Sequence, residues 1–394
     1  MNKKYFLITL ILITSLLTLS CQGAEVAKTP LPEPVPEPIE IVIAAVGDVM
    51  MHGPQFKAAY VASTGTYDFS DCFADIAPVI DGADLAIANI ETTFAGAERG
   101  YSGYPAFNSP EQLLPALKDA GFDVLTTANN HTMDRGTSGI VSTIDFIQQG
   151  GFYQTGSYST TAAAIQPLIV DVKGLKIGIV AATYSLNGFV LPEGKEYMVD
   201  LIDEQLLIKR ITAARSAGAD AVAVSLHFGN EYQRQPSDYQ KKYADIAIKA
   251  GADIILGSHP HVLQPIEMRT VPATADTTTK SAIVVWSMGN FISNQRDRYK
   301  DSGMIFTFKI RQEAPGEPIQ ILEATYLPTY VYKGPLNGKS TVYQVLDVGK
   351  YTKVEGATGP PGGSATLRRL HEVWTESTSL ITETPARITY QGLN

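Results

Sequence analysis

Histidines that follow apolar runs are the clearest candidates for chemistry in this chain. Of six histidines, five lie in short polar segments directly after such runs: His52, His131, His227, His259 and His261. In open α/β sheets, ligands bind at the carboxyl ends of strands, so residues just after strands are placed to converge. Imidazole is a common nitrogen ligand of divalent transition metals. The pattern therefore predicts a metal site.

The most specific signal is His259-Pro260-His261, which follows the apolar run 254–257. In an extended segment, side chains two residues apart point the same way, so both imidazoles would face one site. His227 follows a second apolar run, 221–226, and is predicted to join them.

Oxygen ligands follow three further runs. Asp48 comes after 41–46, Glu91 shares one face of its segment with Asn89, and Asn130 follows 123–128. Each alone has an ordinary alternative, such as an aspartate that caps a helix or a glutamate in solvent. Together with the histidines they exceed the needs of one tetrahedral ion, and we predict one or two divalent ions, with Mn, Fe or Zn favoured.

Other polar residues are candidates for catalysis and substrate binding. His131 is predicted to act as an acid or a hydrogen-bond donor, with Asp134 to orient it; a capped turn is the alternative. Arg135 and Asn290 are predicted to line the same cavity and to bind substrate, and Arg296 is a further candidate for contact with an anion.

The elements that must position these residues alternate between buried strands and helices. The apolar runs alternate with helix candidates at 110–120, 138–149, 203–217 and 237–250, which predicts a largely parallel sheet flanked by helices. Later strand candidates have no helix between them, after a hairpin at Lys173-Gly174. We expect this antiparallel part to form a second sheet, packed face to face on the first.

The motifs, in their order, resemble those of calcineurin-like metallophosphoesterases, and specifically the CapA-type branch associated with poly-γ-glutamate capsule synthesis. They are GDVM (47–50), NIE (89–91), ANNHTMDRG (128–136), HFGNE (227–231), GSHPHV (257–262) and SMGNFI (287–292). The resemblance implies a four-layer α/β/β/α sandwich over residues 41–355, with a two-metal site. It implies that His131 contacts phosphate, and that the metal ligands are Asp48, Glu91, Asn130, His227, His259 and His261.

Two positions depart from the superfamily pattern. Its D-x-H motif would place a histidine at position 50, where this chain has Met50; His52 substitutes only if its loop turns back. Glu91 stands where an aspartate usually bridges two ions. Both departures concern the first metal subsite, so one ion or two remain open.

The N-terminus resembles that of an exported lipoprotein. Lys3 and Lys4 precede an apolar run, and Thr18-Leu19-Ser20-Cys21 looks like a lipobox. We predict a signal peptide at 1–21, lipidation of Cys21, a Pro/Glu-rich tether at 22–40 and a position on the extracytoplasmic face of the membrane. Cleavage near Ala24 and an uncleaved anchor are the alternatives. At the other end, 356–394 is predicted to be a Gly/Pro-rich linker and a helix.

Three functions fit this sequence. The first is synthesis or export of poly-γ-glutamate capsule, with the polymer and capsule synthetase subunits as partners. The second is a secreted phosphoesterase that acts on nucleotides or other phosphate esters, and the third is a non-catalytic, polymer-binding scaffold. A net charge of −9 and a pI near 5.2 argue against nucleic-acid binding.

Overall fold

The computed structural model describes residues 37–272, 279–356, 358–381 and 388–390. The predicted signal peptide, Cys21 and residues 22–36 of the predicted tether lie outside these ranges. Within them, no helix combines the length and the apolar character that crossing a membrane requires.

The strands of the described residues form two large sheets and one small hairpin. In chain order they are β1 (Ile39–Val49), β2 (Tyr60–Val61), β3 (Thr66–Tyr67), β4 (Leu85–Ile90), β5 (Val124–Thr126), β6 (Tyr153–Thr155), β7 (Leu168–Val172), β8 (Leu175–Thr183), β9 (Ala221–His227), β10 (Ile254–Ser258), β11 (Ile266–Pro272), β12 (Thr279–Val285), β13 (Asn290–Ile292), β14 (Ser302–Gln312), β15 (Gln320–Leu336), β16 (Lys339–Asp347) and β17 (Ile388–Tyr390).

The α-helices lie mostly between strands of the parallel parts. They are α1 (Gly53–Ala59), α2 (Ser70–Phe73), α3 (Ala77–Asp81), α4 (Leu113–Asp119), α5 (Gly136–Gln149), α6 (Thr161–Ile165), α7 (Glu204–Ser216), α8 (Asp238–Lys249), α9 (Val348–Thr352) and α10 (Gly363–Ile381). Asp203 caps α7 and Ser237 caps α8 with side-chain hydrogen bonds to the first turn.

The first large sheet has the order β16-β15-β14-β1-β4-β5-β6, with β13 and β17 paired beside this path. Strands β1, β4, β5 and β6 are parallel, and β14 to β16 are antiparallel. The expectation that the antiparallel part forms its own sheet was wrong for these strands. β14 pairs with β1 from Ile39 to Val46 and satisfies backbone groups on the side of β1 away from β4.

The second large sheet has the order β11-β12-β10-β9-β8-β7. Its centre is parallel, from β8 through β9 and β10 to β12, and its two edge pairs are antiparallel. The predicted hairpin at Lys173-Gly174 joins β7 to β8 at one edge.

The packing of these sheets confirms the predicted α/β/β/α sandwich. Along β1, Ile43 packs between the sheets with Ile179 of β8, whereas Val46 faces the helical side with Leu117 of α4. Successive side chains of β1 point to opposite faces of the sheet, so the strand contributes both to the core between the sheets and to the core beneath the helices. On the far side of the second sheet, α7 and α8 bury their apolar faces against β9 and β10. The helix α10 packs against β15 and β16, through Leu370 and Val373 among others.

Candidate metal centre

Five strands of the two sheets bring the six predicted metal ligands together. β1, β4, β5, β9 and β10 each carry ligands at or just after their carboxyl ends, and every one of these side chains is at most 2% exposed. The ligands are Asp48, Glu91, Asn130, His227, His259 and His261. The structure therefore brings into one buried cluster residues that are up to 213 positions apart in the chain.

Two glycines allow the strands to approach closely beside this cluster. A Cβ at Gly47 would lie 2.0 Å from the carbonyl oxygen of Gly289, and a Cβ at Gly257 would lie 2.0 Å from that of Trp286. The contact at Gly47 brings β13 against β1, and the Asp48 N–H donates to Gly289 O at 3.0 Å. Glycine at these positions is required by the distance alone.

The two histidines of the H-x-H motif lie in a turn, and the expected extended segment was wrong. His259 has φ +96° and His261 has φ +58°, a backbone region that non-glycine residues rarely adopt. The His259 N–H points toward Asp48 Oδ2 at 3.4 Å. Their ring centroids are 5.9 Å apart, and both rings still face the cluster. Strained backbone of this kind concentrates at functional sites.

Glu91 is the centre of the cluster. Both of its carboxylate oxygens are buried, and neither has a hydrogen-bond partner within the part of the chain that the structure describes. The nearest imidazole nitrogens are His227 Nε2 at 3.5 Å and His261 Nε2 at 3.8 Å from Oε1. Burial and the nearby Asp48 carboxylate raise the pKa of Glu91 well above its usual value. An unpaired buried carboxylate is costly, which points to a cation at this position.

Asp48 and His261 form a pair on one side of Glu91. His261 Nδ1 lies 3.0 Å from Asp48 Oδ2 and 3.1 Å from Asn290 Oδ1, and Asn89 Nδ2 donates to Asp48 Oδ1 at 2.8 Å. Burial opposes the charge of both partners. The contact with His261 nevertheless lowers the pKa of Asp48, and the Glu91 and Asp48 carboxylates together raise the pKa of His261. These contacts fix His261 through Nδ1 and leave Nε2 directed toward Glu91.

His227, His259 and Asn130 lie on the other side. Burial lowers the pKa of His227 to about 3 and that of His259 to about 2, so both imidazoles are neutral, as metal ligands must be. His259 Nδ1 is buried without a hydrogen-bond partner. Asn130 Oδ1 lies 2.7 Å from His227 Nε2.

These residues fit a divalent cation. Potential ligand atoms of Glu91, His227 and His259 lie within 4.8 Å of one another, and so do those of Asp48, Glu91 and His261. Glu91 belongs to both groups, which is the arrangement of a bridging carboxylate. Mixed imidazole and carboxylate donors suit Zn, Fe or Mn.

The predicted catalytic pair lies beside the cluster. His131 Nδ1 is 2.8 Å from Asp134 Oδ2, which also accepts the Phe107 N–H at 2.7 Å. Burial alone would lower the pKa of His131, but the Asp134 hydrogen bond and the Glu91 charge raise it overall. The pair is therefore arranged to hold a proton on His131.

The other predicted residues make contacts of a different kind. Asn290 holds His261, and its Nδ2 donates to Gln295 and to the Lys300 carbonyl. Arg135 donates to Ser102 and the Ala106 carbonyl, and Arg296 to Val331 and Tyr330. These amide and guanidinium groups thus support loops of the fold.

His52 stands apart from the ligand groups that the described residues form. It precedes α1, where its Nδ1 accepts the Asn294 N–H at 3.4 Å and its ring meets the edge of Phe107 at 5.3 Å. Burial lowers its pKa to about 4. It takes no place in the ligand groups around Asp48.

Three residues that the sequence reasoning left without a role also meet the site. Asn187 Oδ1 accepts from Asn130 Nδ2 at 3.0 Å, and the Tyr184 ring lies 4.4 Å from the ring of His259. Glu231 forms a further group with His259 and His261. Glu231 belongs to the HFGNE motif, so position after a strand could have identified it; Asn187 lies four residues beyond β8 and gives no such signal.

Comparison with known proteins identifies relatives. Residues 42–295 match the family described as bacterial capsule synthesis protein PGA_cap. The PGA biosynthesis protein CapA of Bacillus subtilis is 30% identical over 310 residues, which cover 76% of each chain. The capsule biosynthesis protein CapA of Bacillus anthracis is 28% identical and covers 77% of this chain and 72% of its own.

Two solved structures match most of this chain. Calcineurin-like phosphoesterase YfkN of Bacillus subtilis matches with a TM-score of 0.41 at 14% identity, over 87% of this chain and 99% of that chain. NAD nucleotidase of Haemophilus influenzae matches with a TM-score of 0.47 at 10% identity, over 87% of this chain; the match spans 61% of the nucleotidase.

Proposed function

The chain belongs to the PGA_cap family of bacterial capsule synthesis proteins, and on this premise we propose that it serves the synthesis or export of a poly-γ-glutamate capsule through a divalent metal site. The observation that carries the metal site is Glu91, whose two buried oxygens make no hydrogen bond with the described residues; the nearest imidazole nitrogen lies 3.5 Å away. The similarity to the PGA and capsule biosynthesis proteins of two Bacillus species supports the capsule assignment.

The residues of the cluster would hold one or two ions of Mn, Fe or Zn. Asp48, Glu91 and His261 would serve one position, and Glu91, Asn130, His227 and His259 the other. When bound, such ions polarise a phosphoryl or carbonyl oxygen and activate water. The protein itself supplies buried, pre-oriented donors and two neutral imidazoles.

His131 is the group placed to move a proton. Its Nδ1 is engaged by Asp134, which fixes the ring and stabilises its protonated form. A general acid held in this way protonates the oxygen of a leaving group. The same pair favours the second candidate function, a secreted phosphoesterase that acts on nucleotides or other phosphate esters.

Position in the cell is part of the proposal. Residues 39 and 40, predicted as the end of the tether, belong to β1, because they pair with β14. A diacylated Cys21 and the remaining part of the tether would hold the folded part near the outer face of the cytoplasmic membrane, where polymer and synthetase subunits would meet it. Mass spectrometry of the membrane-bound protein should find a diacylglyceryl group on an N-terminal Cys21. An unmodified Cys21 in that fraction would contradict the lipid anchor.

Complementation tests the capsule function and the metal site together. In a strain that lacks this gene, we expect the wild type and His371→Ala to restore cell-associated polymer and His259→Ala to fail. His371 is the matched control because it lies on α10, away from the cluster. Full restoration by His259→Ala would contradict a role for the metal and would favour the non-catalytic scaffold.

A separate assay tests hydrolysis. Purified, metal-loaded protein should cleave a generic phosphodiester, and Asp134→Asn should reduce turnover about tenfold or more while metal content stays unchanged. Equal turnover in Asp134→Asn would contradict the role of the His131–Asp134 pair. Absence of turnover in the wild type, with capsule restored, would leave the capsule function and exclude this phosphoesterase activity.

A further inference from the structure

A third carboxylate, that of Glu231, reaches the histidine turn. Potential ligand atoms of Glu231, His259 and His261 lie within 4.8 Å of one another. Glu231 is exposed, whereas both histidines are 2% exposed. It therefore approaches the cluster from its solvent side.

The loop after β9 is tied to the turn on both sides of Glu231. The Phe228 N–H donates to Ser258 O at 3.0 Å, and the Tyr232 N–H donates to Pro260 O at 2.8 Å. Pro260 separates the two histidines, so this second bond places Glu231 next to them. The position of Glu231 is thus built into the backbone.

Backbone conformation in this loop supports the same placement. Gly229 has φ +113° and Tyr232 has φ +67°. A Cβ at Gly229 would also lie 2.7 Å from the Gln240 side chain. Positive φ angles on both sides of Glu231 hold the loop close to the histidine turn, so the backbone at Glu231 has a defined geometry.

The two sides of the cluster differ in how many donors they hold. Glu91, Asn130, His227 and His259 provide four on one side, but Asp48, Glu91 and His261 provide three on the other. At position 50 the chain has Met50, 2% exposed, and a soft thioether is a poor ligand for the harder ion Mn²⁺. His261 belongs both to this three-donor group and to the group of Glu231.

We propose that Glu231 is a metal ligand that completes the His261 side of the cluster. This inference rests on the metal site of the proposed function. An anionic oxygen donor suits Mn²⁺, which favours oxygen ligands. Its exposure makes Glu231 the ligand that faces incoming substrate.

The proposal is tested by titrating the metal-free, full-length protein with Mn²⁺ alone and measuring the Mn²⁺ affinity by calorimetry. We expect Glu231→Gln to weaken at least one Mn²⁺ site about tenfold or more. The control, Glu355→Gln, removes an exposed carboxylate elsewhere and should bind Mn²⁺ as the wild type does. Urea unfolding of each metal-free variant checks that folding is unchanged.

The outcomes distinguish a failure of the Glu231 proposal from a failure of the proposed metal site itself. If the wild type binds Mn²⁺ and Glu231→Gln binds it equally tightly, Glu231 is no ligand and this inference falls alone. Tighter binding in Glu231→Gln would also overturn it. If the wild type does not bind Mn²⁺, the proposed Mn²⁺ site falls and this inference falls with it.

Discussion

Two buried carboxylates of this protein have opposite surroundings. Asp200 accepts a hydrogen bond from Arg210 at 2.6 Å and another from the Tyr158 hydroxyl at 2.8 Å. Glu91 is also buried, yet neither of its oxygens has a hydrogen-bond partner among the described residues. Asp200 is thus paired with a guanidinium, whereas the Glu91 carboxylate faces imidazole nitrogens that lie 3.5 Å or more away.

The difference shows what each region is built to do. The Asp200–Arg210 pair joins the segment before α7 to the helix itself, so its charges serve the fold. Around Glu91, the described residues place His227 Nε2 at 3.5 Å and His261 Nε2 at 3.8 Å from Oε1, and His261 Nδ1 is engaged by Asp48. A bound cation is therefore expected to supply the partner that the Glu91 carboxylate lacks.

Removal of Asp200 should give the largest effect on stability. Asp200→Ala leaves the Arg210 guanidinium, whose side chain is 15% exposed, without its partner. We expect the free energy of unfolding in urea to fall by about 3 kcal/mol. Mn²⁺ affinity of the folded variant should equal that of the wild type, and a loss of affinity would show that the two regions are coupled.

His259→Ala should separate metal binding from folding. We expect Mn²⁺ affinity to fall at least about 100-fold, because a buried neutral donor is lost. The metal-free protein should lose about 1 kcal/mol of stability, since His259 Nδ1 makes no hydrogen bond. His371→Ala is the control. A large stability loss with unchanged affinity would assign His259 to the core.

Asn187→Ala should have a smaller effect on the same side of the site. Asn187 Oδ1 accepts from Asn130 Nδ2 and so directs Asn130 Oδ1 toward His227. We expect Mn²⁺ affinity to fall about tenfold, as for other groups that orient a ligand. An Asn187→Asp variant keeps the accepting oxygen and should retain most of the affinity. Equal loss in both variants would contradict the positioning role.

Local sequence patterns predicted the strands and most ligands for a physical reason. The run 41–46 is apolar throughout because β1 is buried on both faces. Asp48 follows this run near the carboxyl end of β1. Sequence could not predict that β14 would pair with β1, because that register depends on contacts about 260 residues apart.

The turn at the histidines shows a second limit. His259-Pro260-His261 was expected to be extended, but the Tyr232 N–H engages Pro260 O and both histidines adopt positive φ. Asn187 was missed because its place beside His131 depends on the second sheet, which contains β8, packing against the first, which contains β5. Contacts between residues far apart in the chain determine both the turn at the histidines and the position of Asn187, and a local sequence pattern does not reveal such contacts.

The most direct test of the account compares Glu91→Gln with the wild type in urea unfolding, with and without Mn²⁺. Without metal, Glu91→Gln should be at least as stable as the wild type, because an unpaired buried carboxylate is removed. With Mn²⁺ at about 100 times its Kd, the wild type should gain about 2.7 kcal/mol and Glu91→Gln less than about 1 kcal/mol. An equal gain in both proteins would contradict a cation at Glu91.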